Sequence, residues 1–309
     1  MVKKGVEYQK KTEESSVTFL SPSEVSRLYP VFGDNQYGAR FSDTDGNANP
    51  FRITYGFVHT GQKIGLKTFT HTVVRSLIFQ GKKVVGVKTN KGDFFARSGV
   101  ILATSPWTKN ILPDYPIIPW KHLGFVTEQL PILPVPATDI YYGIEKGMIV
   151  DSYSQKEGSM PFRVFGGSQK EGSILIGGDP VNYFKMDDHF NEDVSLEDFL
   201  RYGAVFSKFW TMVKDVSLIR AWSGTLSFTP DALPFVGATR YKNLYMNSGN
   251  INGTVFCPIT GKLIAEYVLN NGKTSLSIDF MDPERFIDDR FEWPEKYDYN
   301  VLAEYINKK

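Results

Sequence analysis

A short apolar run, Asn243-Leu244-Tyr245-Met246-Asn247, enters a turn, Ser248-Gly249-Asn250-Ile251-Asn252-Gly253-Thr254, and leaves it as a helix that stops at Asn270-Asn271-Gly272. The run is short and apolar enough to be a buried strand. In the helix, Val255, Ile259, Leu263 and Tyr267 form one apolar stripe, with Phe256, Ile264 and Val268 beside it. Pro258 is expected in the first turn, where its missing N–H costs nothing, and the Asn-Asn-Gly sequence supplies the stop. The chain is organised around this unit. Just upstream, Thr229-Pro230-Asp231 closes a loop or strand, and Leu233-Pro234-Phe235-Val236-Gly237 reads as a turn. A strand feeding a glycine turn that opens a helix makes a place for negative charge. The first helical amides have no carbonyl partner, and the macrodipole adds positive potential there. Gly249 and Gly253 would let a ligand approach the backbone with no Cβ in the way. Spacing alone leaves an ordinary strand–helix connection open as well.

Several motifs stand in one order here: Trp222-Ser223-Gly224, Thr229-Pro230-Asp231, Leu233 to Gly237, Gly249 to Gly253, then Gly261-Lys262-Leu263-Ile264-Ala265-Glu266. This string resembles the C-terminal signature of FAD-dependent oxidoreductases of the D-amino-acid oxidase and sarcosine oxidase type, glycine oxidase-like members included. The resemblance implies that the loop before the helix, with Gly224 upstream of it, meets the isoalloxazine ring. It also implies that Gly249, Asn250, Ile251, Asn252, Gly253 and Thr254 face its pyrimidine side, where the reduced ring carries negative charge. Asn250 stands where many members have histidine. No cysteine lies between Trp222 and Thr229, where some relatives attach flavin covalently, so the FAD implied is non-covalent.

Earlier in the chain, Ser21 with Glu24 three residues on, Pro22 and Pro30 mark a short capped helix. Residues 51–61 fit a helix and 64–69 a strand. Residues 71–79 and 83–88 flank Gln80-Gly81-Lys82 as a hairpin, and 93–97 follow another glycine turn. Residues 99–104 form a buried strand that ends at Ser105-Pro106-Trp107. This block resembles the central FAD-domain segment of the same family. There a valine near Val74 meets the adenine, and the end made by Ala103, Thr104, Ser105 and Trp107 approaches the diphosphate and ribose. Ser105 occupies a position where the family's usual residue is glycine. Strand candidates then cover residues 122–130, 140–153, 162–165 and 173–177. A helix covers 193–209, with Leu196, Phe199, Leu200 and Phe206 as its apolar residues. In the family this region is the substrate domain, and Tyr141, Tyr142, Arg163, Phe165 and Trp222 are its pocket candidates. Each of these also has a plain structural reading. Leu226 takes the place of the arginine of a "G-L-R-P" loop in amino-acid-oxidising members, which leaves Arg163 as the cation for a carboxylate substrate.

The expected fold class is therefore α+β: a partial α/β-type FAD domain plus a substrate domain with a mixed or antiparallel sheet. The expected division is 1–50 as substrate-domain part and connecting segment, 51–115 as FAD-domain part, 116–218 as substrate domain, and 219–309 as the C-terminal FAD-domain part. Dinucleotide binding needs a strand, a G-x-G-x-x-G turn, a helix and a later acidic residue. These 309 residues contain no such turn. The resemblance thus begins partway into the family pattern. The expectation is one half of a split enzyme, a fragment of a longer protein, or a relative without cofactor. In the first case a second polypeptide supplies the missing turn, and this chain alone holds FAD poorly.

Other chemistries find little support. The four histidines, His59, His71, His122 and His189, have no metal-binding spacing. Ser223-Gly224 lacks the G-x-S-x-G elbow of a hydrolase. Cys257 is the only cysteine, so neither an intrachain disulfide nor a cysteine metal cluster is available, and its expected role is that of a small buried apolar side chain. A net charge of +1 gives no reason to expect nucleic acid. No apolar run approaches the roughly 18 residues of a membrane span, and the start leads into no hydrophobic segment, so the expected location is the cytoplasm. The resemblance implies oxidation of a C–H bond beside an amine, on an amino acid or secondary amine, with hydride passing to the flavin. The alternative, from another class, is a non-catalytic interaction subunit that keeps the fold without FAD.

Overall fold

The computed structural model describes residues 2–11, 16–30, 32, 38–44, 48–130, 138–145, 148–150, 160–168, 172–178, 192–209 and 215–287. Helix α1 (Val2–Gln9), strand β1 (Val17–Leu20), helix α2 (Pro22–Leu28) and strand β2 (Ala39–Ser42) come first. The expected cap on α2 is present: the Ser21 hydroxyl accepts from the Glu24 amide, and the Glu24 carboxylate accepts from the Ser21 amide at 2.7 Å. The Ser21 hydroxyl also donates to the Glu24 carboxylate at 2.7 Å, and this bond, with the one from the Ser21 amide, holds the Glu24 carboxyl below its usual range. Helix α3 (Pro50–Lys63) follows, capped by Asn49. Residues 64–69 form no strand. Gly65 sits at φ +104° and the Leu66 amide returns to the Gly61 carbonyl, so the chain finishes the helix there instead of extending.

Strands β3 (Val74–Gln80), β4 (Lys83–Thr89) and β5 (Gly92–Phe95) make a three-stranded antiparallel sheet, with Gly81 at φ +61° in the first turn. Strand β6 (Val100–Leu102) runs into a 3-10 helix over Ser105–Asn110. Next come β7 (Ile118–Thr127), β8 (Thr138–Glu145), β9 (Met148–Val150), β10 (Met160–Ser168), β11 (Ile174–Gly178), helix α4 (Leu196–Phe209) and β12 (Leu218–Phe228). Six strands are ordered β12-β7-β11-β10-β8-β9, and the β7–β11, β11–β10, β10–β8 and β8–β9 pairs are antiparallel. The strand expected over 140–153 is thus two strands, and its residues 151–153 lie outside the described ones. Tyr202 of α4 stacks on Phe125 of β7 with ring centroids 4.5 Å apart, and Phe199 meets the same ring edge-on. Leu196 and Leu200, expected on the apolar face of α4, are exposed, because that face is centred on Tyr202. The Phe206 side chain lies outside the described residues.

The last part contains β13 (Phe235–Ala238), β14 (Leu244–Ser248) and α5 (Gly253–Leu269). Residues 235–237, expected in a turn, form a strand because they pair antiparallel with β14. Both Phe235 and Val236 are fully buried, on opposite faces. Strand β6 pairs parallel with the other edge of β14, giving the order β13-β14-β6. One face of this sheet carries Phe235, Leu244 and Met246 into a core with Leu77, Val84, Leu102, Tyr115, Ile117 and Phe286. The other carries Val236 and Tyr245 against Leu263, Ile264 and Tyr267 of α5. This alternation is what period-two strands buried on both faces require. The buried side of α5 is Thr260, Leu263 and Ile264, and the expected stripe holds only from there on: Val255 and Ile259 are exposed. Pro258 is the sixth helical residue, not in the first turn. It withdraws the donor that the Thr254 carbonyl would have had, and the Cys257 thiol faces that oxygen at 3.8 Å.

The chain forms two compact units. One comprises Met1–Ala48, His122–Asn182 and Glu192–Gly224; the other comprises Asn49–Lys121, Tyr183–Asn191 and Thr225–Lys309. No helix among the described residues is long and apolar enough to cross a membrane.

Candidate functional site

The second unit brings together three chain segments that are distant in sequence. Parallel pairing of Leu244 with Val100 and Met246 with Leu102 sets the ends of β6 and β14 side by side. Just past that pairing, Ser105 and Thr108 meet Ser248. At the end of β14, Gly249 turns the chain at φ +77°, and α5 starts four residues later. The Asn252 carbonyl accepts from the amides of Val255 and Phe256 at 3.0 and 3.1 Å, while its side chain makes no cap bond. Among the described residues, no acceptor is bonded to the amides of Gly253 and Thr254. A Cβ built on Gly253 would meet nothing nearer than Asn250 Cβ at 4.0 Å. Asn250 donates from Nδ2 to Asn247 Oδ1 at 3.2 Å, and its buried Oδ1 has no partner. A buried acceptor without a donor is costly, and this turn can receive a group that brings both negative charge and an N–H or O–H.

The neighbouring edge is lined with hydroxyls. Thr104 Oγ1 lies 2.8 Å from Thr108 Oγ1, and Thr108 Oγ1 lies 2.6 Å from Ser248 Oγ. The Ser248 hydroxyl donates to the Ser105 carbonyl at 3.3 Å, and Ser105 Oγ lies 2.8 Å from the fully buried Ser227 Oγ. Ser105 itself has φ +49°, a conformation natural to glycine and strained for serine. Trp107, half exposed, hydrogen-bonds through its amide to the Thr104 carbonyl. The groups around the turn are backbone amides, hydroxyls and the carboxamides of Asn247, Asn250 and Asn252. Such a set can donate and accept hydrogen bonds and stabilise negative charge, and it includes no carboxylate or histidine to act as a base.

Gly249 differs from Gly253. A Cβ on Gly249 would lie 2.5 Å from Thr229 Cγ2, with Phe235 and Ile117 also in contact. The room left by its missing side chain is filled by the loop of residues 229–234. That loop is fastened internally: Thr229 Oγ1 donates to the Leu233 carbonyl at 2.7 Å, and the Leu233 amide donates to Asp231 Oδ1 at 3.1 Å. It is also fastened by Arg285, which donates from Nε and Nη2 to both Asp231 oxygens at 3.0 and 2.9 Å and from Nη2 to the Leu233 carbonyl at 2.8 Å. The guanidinium lies 4.2 Å from the Phe235 ring centroid and 4.9 Å from that of Phe286. Sequence reasoning passed over Arg285, Ser227 and Thr108, and named Ser248 only as the start of the turn. A lone arginine after a Pro-Glu pair and scattered hydroxyls carry no spacing signal, since their partners are 54 to 143 residues away.

The remaining candidates fall elsewhere. Val74 begins β3, in the three-stranded β3-β4-β5 sheet, beside a register irregularity. Trp222 and Gly224 belong to the first unit. Trp222 covers Gly124, where a Cβ would sit 2.5 Å from the indole, while Gly224 has open space around it. Tyr141 and Arg163 are cross-strand partners in the β8–β10 pair, as are Tyr142 and Phe162, and Phe165 faces Asp139 in register. The side chains of Tyr141, Tyr142, Arg163 and Phe165 lie outside the described residues. Cys257, expected to be buried, is exposed, because it lies on the open side of α5.

The family described as "DAO: FAD dependent oxidoreductase" matches residues 2–267. Similar curated proteins include the bifunctional protein ThiO/ThiG of Trichormus variabilis, 26% identical over 283 residues. That alignment takes 90% of this chain and 39% of the relative. The sarcosine oxidase subunit beta of Arthrobacter sp is 22% identical over 279 residues, 87% of this chain and 63% of the relative. This chain thus spans well under two thirds of the length of the ThiO/ThiG proteins. Among solved structures, L-proline dehydrogenase from P. horikoshii superposes with a TM-score of 0.75 at 24% identity, over 94% of this chain and 74% of the other. Glycine oxidase from Bacillus cereus gives 0.70 at 20% identity, over 89% and 71%.

Proposed function

The chain belongs to the DAO family of FAD-dependent oxidoreductases, and from that premise we propose that it is a flavin-dependent oxidoreductase, or the C-terminal portion or a subunit of one, that oxidises an amino acid or secondary amine. The observation that carries this reading is the turn before α5: two helix amides without acceptors, an orphaned Asn250 Oδ1, and open space over Gly253. These residues fit FAD held without a covalent bond, and FAD bound there would supply the two-electron acceptor for a C–H bond beside nitrogen. The work of the protein is then electrostatic. The amides of Gly253 and Thr254, at the positive end of α5, stabilise negative charge in front of them. Asn250 Oδ1 accepts an N–H and so sets an in-plane orientation. Ala103, Thr104, Ser105 and Trp107 flank the remainder, and Val74 is reserved for the adenine end. Tyr141, Tyr142, Phe165 and Trp222 are the proposed pocket wall, with Arg163 as cation for a carboxylate because Leu226 is apolar. We read the protein as cytoplasmic, in keeping with its single cysteine.

On this reading a G-x-G-x-x-G turn is supplied by a second polypeptide or by another segment of the same one. The edge strand β6 suits such a unit. Among the described residues it pairs only with β14, and Ile101 is 44% exposed. Without the diphosphate contacts, two charge-assisted hydrogen bonds of about 1.5–3 kcal/mol each are lost, or about two to four orders of magnitude in affinity. The second reading, an interaction subunit without FAD, is favoured by Ser105, whose hydroxyl is committed to Ser227 where the family's backbone usually carries no side chain. The deciding experiment titrates FAD by fluorescence quenching, first into residues 1–309 alone and then with a polypeptide carrying the glycine-rich unit. Weak binding alone, tight binding and a flavin spectrum with the partner, and turnover of an amine support the proposal. Tight binding by the lone chain removes the need for a partner, and no binding in either arm leaves the interaction subunit.

A further inference from the structure

We infer that Arg285 is a positioning residue for the flavin-facing turn, acting through the loop of residues 229–234. Asp231 belongs to the matched family segment, residues 2–267, whereas its arginine partner lies beyond that segment. The geometry is that of a clamp. One guanidinium spans both Asp231 oxygens and the Leu233 carbonyl, and Nη1 donates to the Asp282 carbonyl at 3.0 Å. The pair is largely shielded from water, with side-chain exposures of 12% for Arg285 and 16% for Asp231. The flat fork is further fixed by the rings of Phe235 and Phe286. A bidentate pair whose flat fork lies against two aromatic rings is rigid in a way that a lysine cannot reproduce.

What the clamp holds is the feature that matters. Within the loop, Ala232 sits at φ +58°, a left-handed conformation that needs surrounding support. The methyl of Thr229 occupies the space beside Gly249, so the loop cannot shift without freeing the turn. From Gly249 the chain runs through Asn250 to Gly253, the residues that present the orphaned acceptor and the open amides. Arg285 therefore touches none of the groups in front of the turn, yet it determines where the last rigid contact behind them sits. That this turn meets flavin rests on the function proposed above; that Arg285 positions it does not.

Hydrogen exchange on the full 309-residue chain tests the inference without any flavin, so a protein that never takes up FAD still returns an answer. Arg285→Ala and Asp231→Asn are expected to speed exchange about ten-fold or more at the bonded amides of Ala232 and Leu233 in the loop and of Val255 and Phe256 at the turn, with the β3–β5 hairpins left as in wild type. Arg285→Lys keeps the charge but loses the flat fork. It is expected to restore the melting midpoint of the alanine variant towards wild type while leaving the turn unprotected. A merely structural ion pair gives no such split. The inference is overturned by exchange that rises only in 229–234, by a uniform rise across the chain, by no rise at all, or by lysine restoring both properties. If the alanine variant does not fold, Arg285→Lys and Asp231→Asn decide the matter on the same criteria.

Discussion

Replacing Gly249 by alanine places a methyl carbon 2.5 Å from Thr229 Cγ2 and asks a residue with a Cβ to hold φ +77°. The backbone penalty for an L-residue in that region is about 1–2 kcal/mol. Forcing a methyl into a filled site adds about 1–3 kcal/mol, because Thr229 is tied to the Leu233 carbonyl and cannot swing aside. The sum, about 2–5 kcal/mol, corresponds to a fall in melting temperature of about 5–15 °C for a domain of this size. Gly253→Ala is the internal control. It stands at the first residue of α5, without positive φ, and its Cβ meets nothing nearer than 4.0 Å. Its effect on folding is expected to stay within about 1 kcal/mol, because alanine suits a helix better than glycine. The same methyl stands before the open amides, so FAD affinity, measured together with the glycine-rich partner unit, is expected to fall about ten-fold or more. Thermal unfolding followed by circular dichroism, beside FAD titration, separates the two variants. A Gly249→Ala protein that melts within about 2 °C of wild type, or a Gly253→Ala protein that is the less stable of the two, refutes the division of labour.

Ser105→Gly relieves about 1 kcal/mol or more of left-handed strain but leaves the buried Ser227 hydroxyl without its partner, at about 1–3 kcal/mol. Removing that stranded group in Ser105→Gly with Ser227→Ala should return about 1 kcal/mol or more, read as a higher urea midpoint than Ser105→Gly alone; an equal or lower midpoint contradicts the assignment. Glu266 accepts from the Ser275 amide and hydroxyl, which together with Lys262 holds its carboxyl below the usual 4.5. A depressed folded-state value contributes stability that is present above 4.5 and is lost as pH falls through the folded value. Thermal midpoints of wild type and Glu266→Gln should therefore differ at neutral pH and converge on acidification, and a gap that widens towards acid rejects the bond.

Local signals in the chain were enough for the elements that depend on neighbours. The Ser21–Glu24 box on α2, the β3–β4 hairpin around Gly81, and the passage from β14 through a glycine turn into α5 are each decided within a few residues, where capping, turn chemistry and alternation act directly. The family signature lay in the same stretch because the turn needs those residue types in that order. What sequence alone misread depended on distant partners. Residues 235–238 become a strand only because β14 pairs with them, and residues 64–69 stay irregular where the chain turns at Gly65 and no described strand pairs with them. Tertiary structure also decided what the two glycines do. They stand four apart in one turn, yet Gly249 makes room for Thr229 and Gly253 faces open space. Likewise, the Asp231–Arg285 clamp and the Ser105–Ser227 contact join residues 54 and 122 positions apart. A hydrogen bond across such a separation is set by how sheets and loops pack, and residue order records the groups but not the meeting.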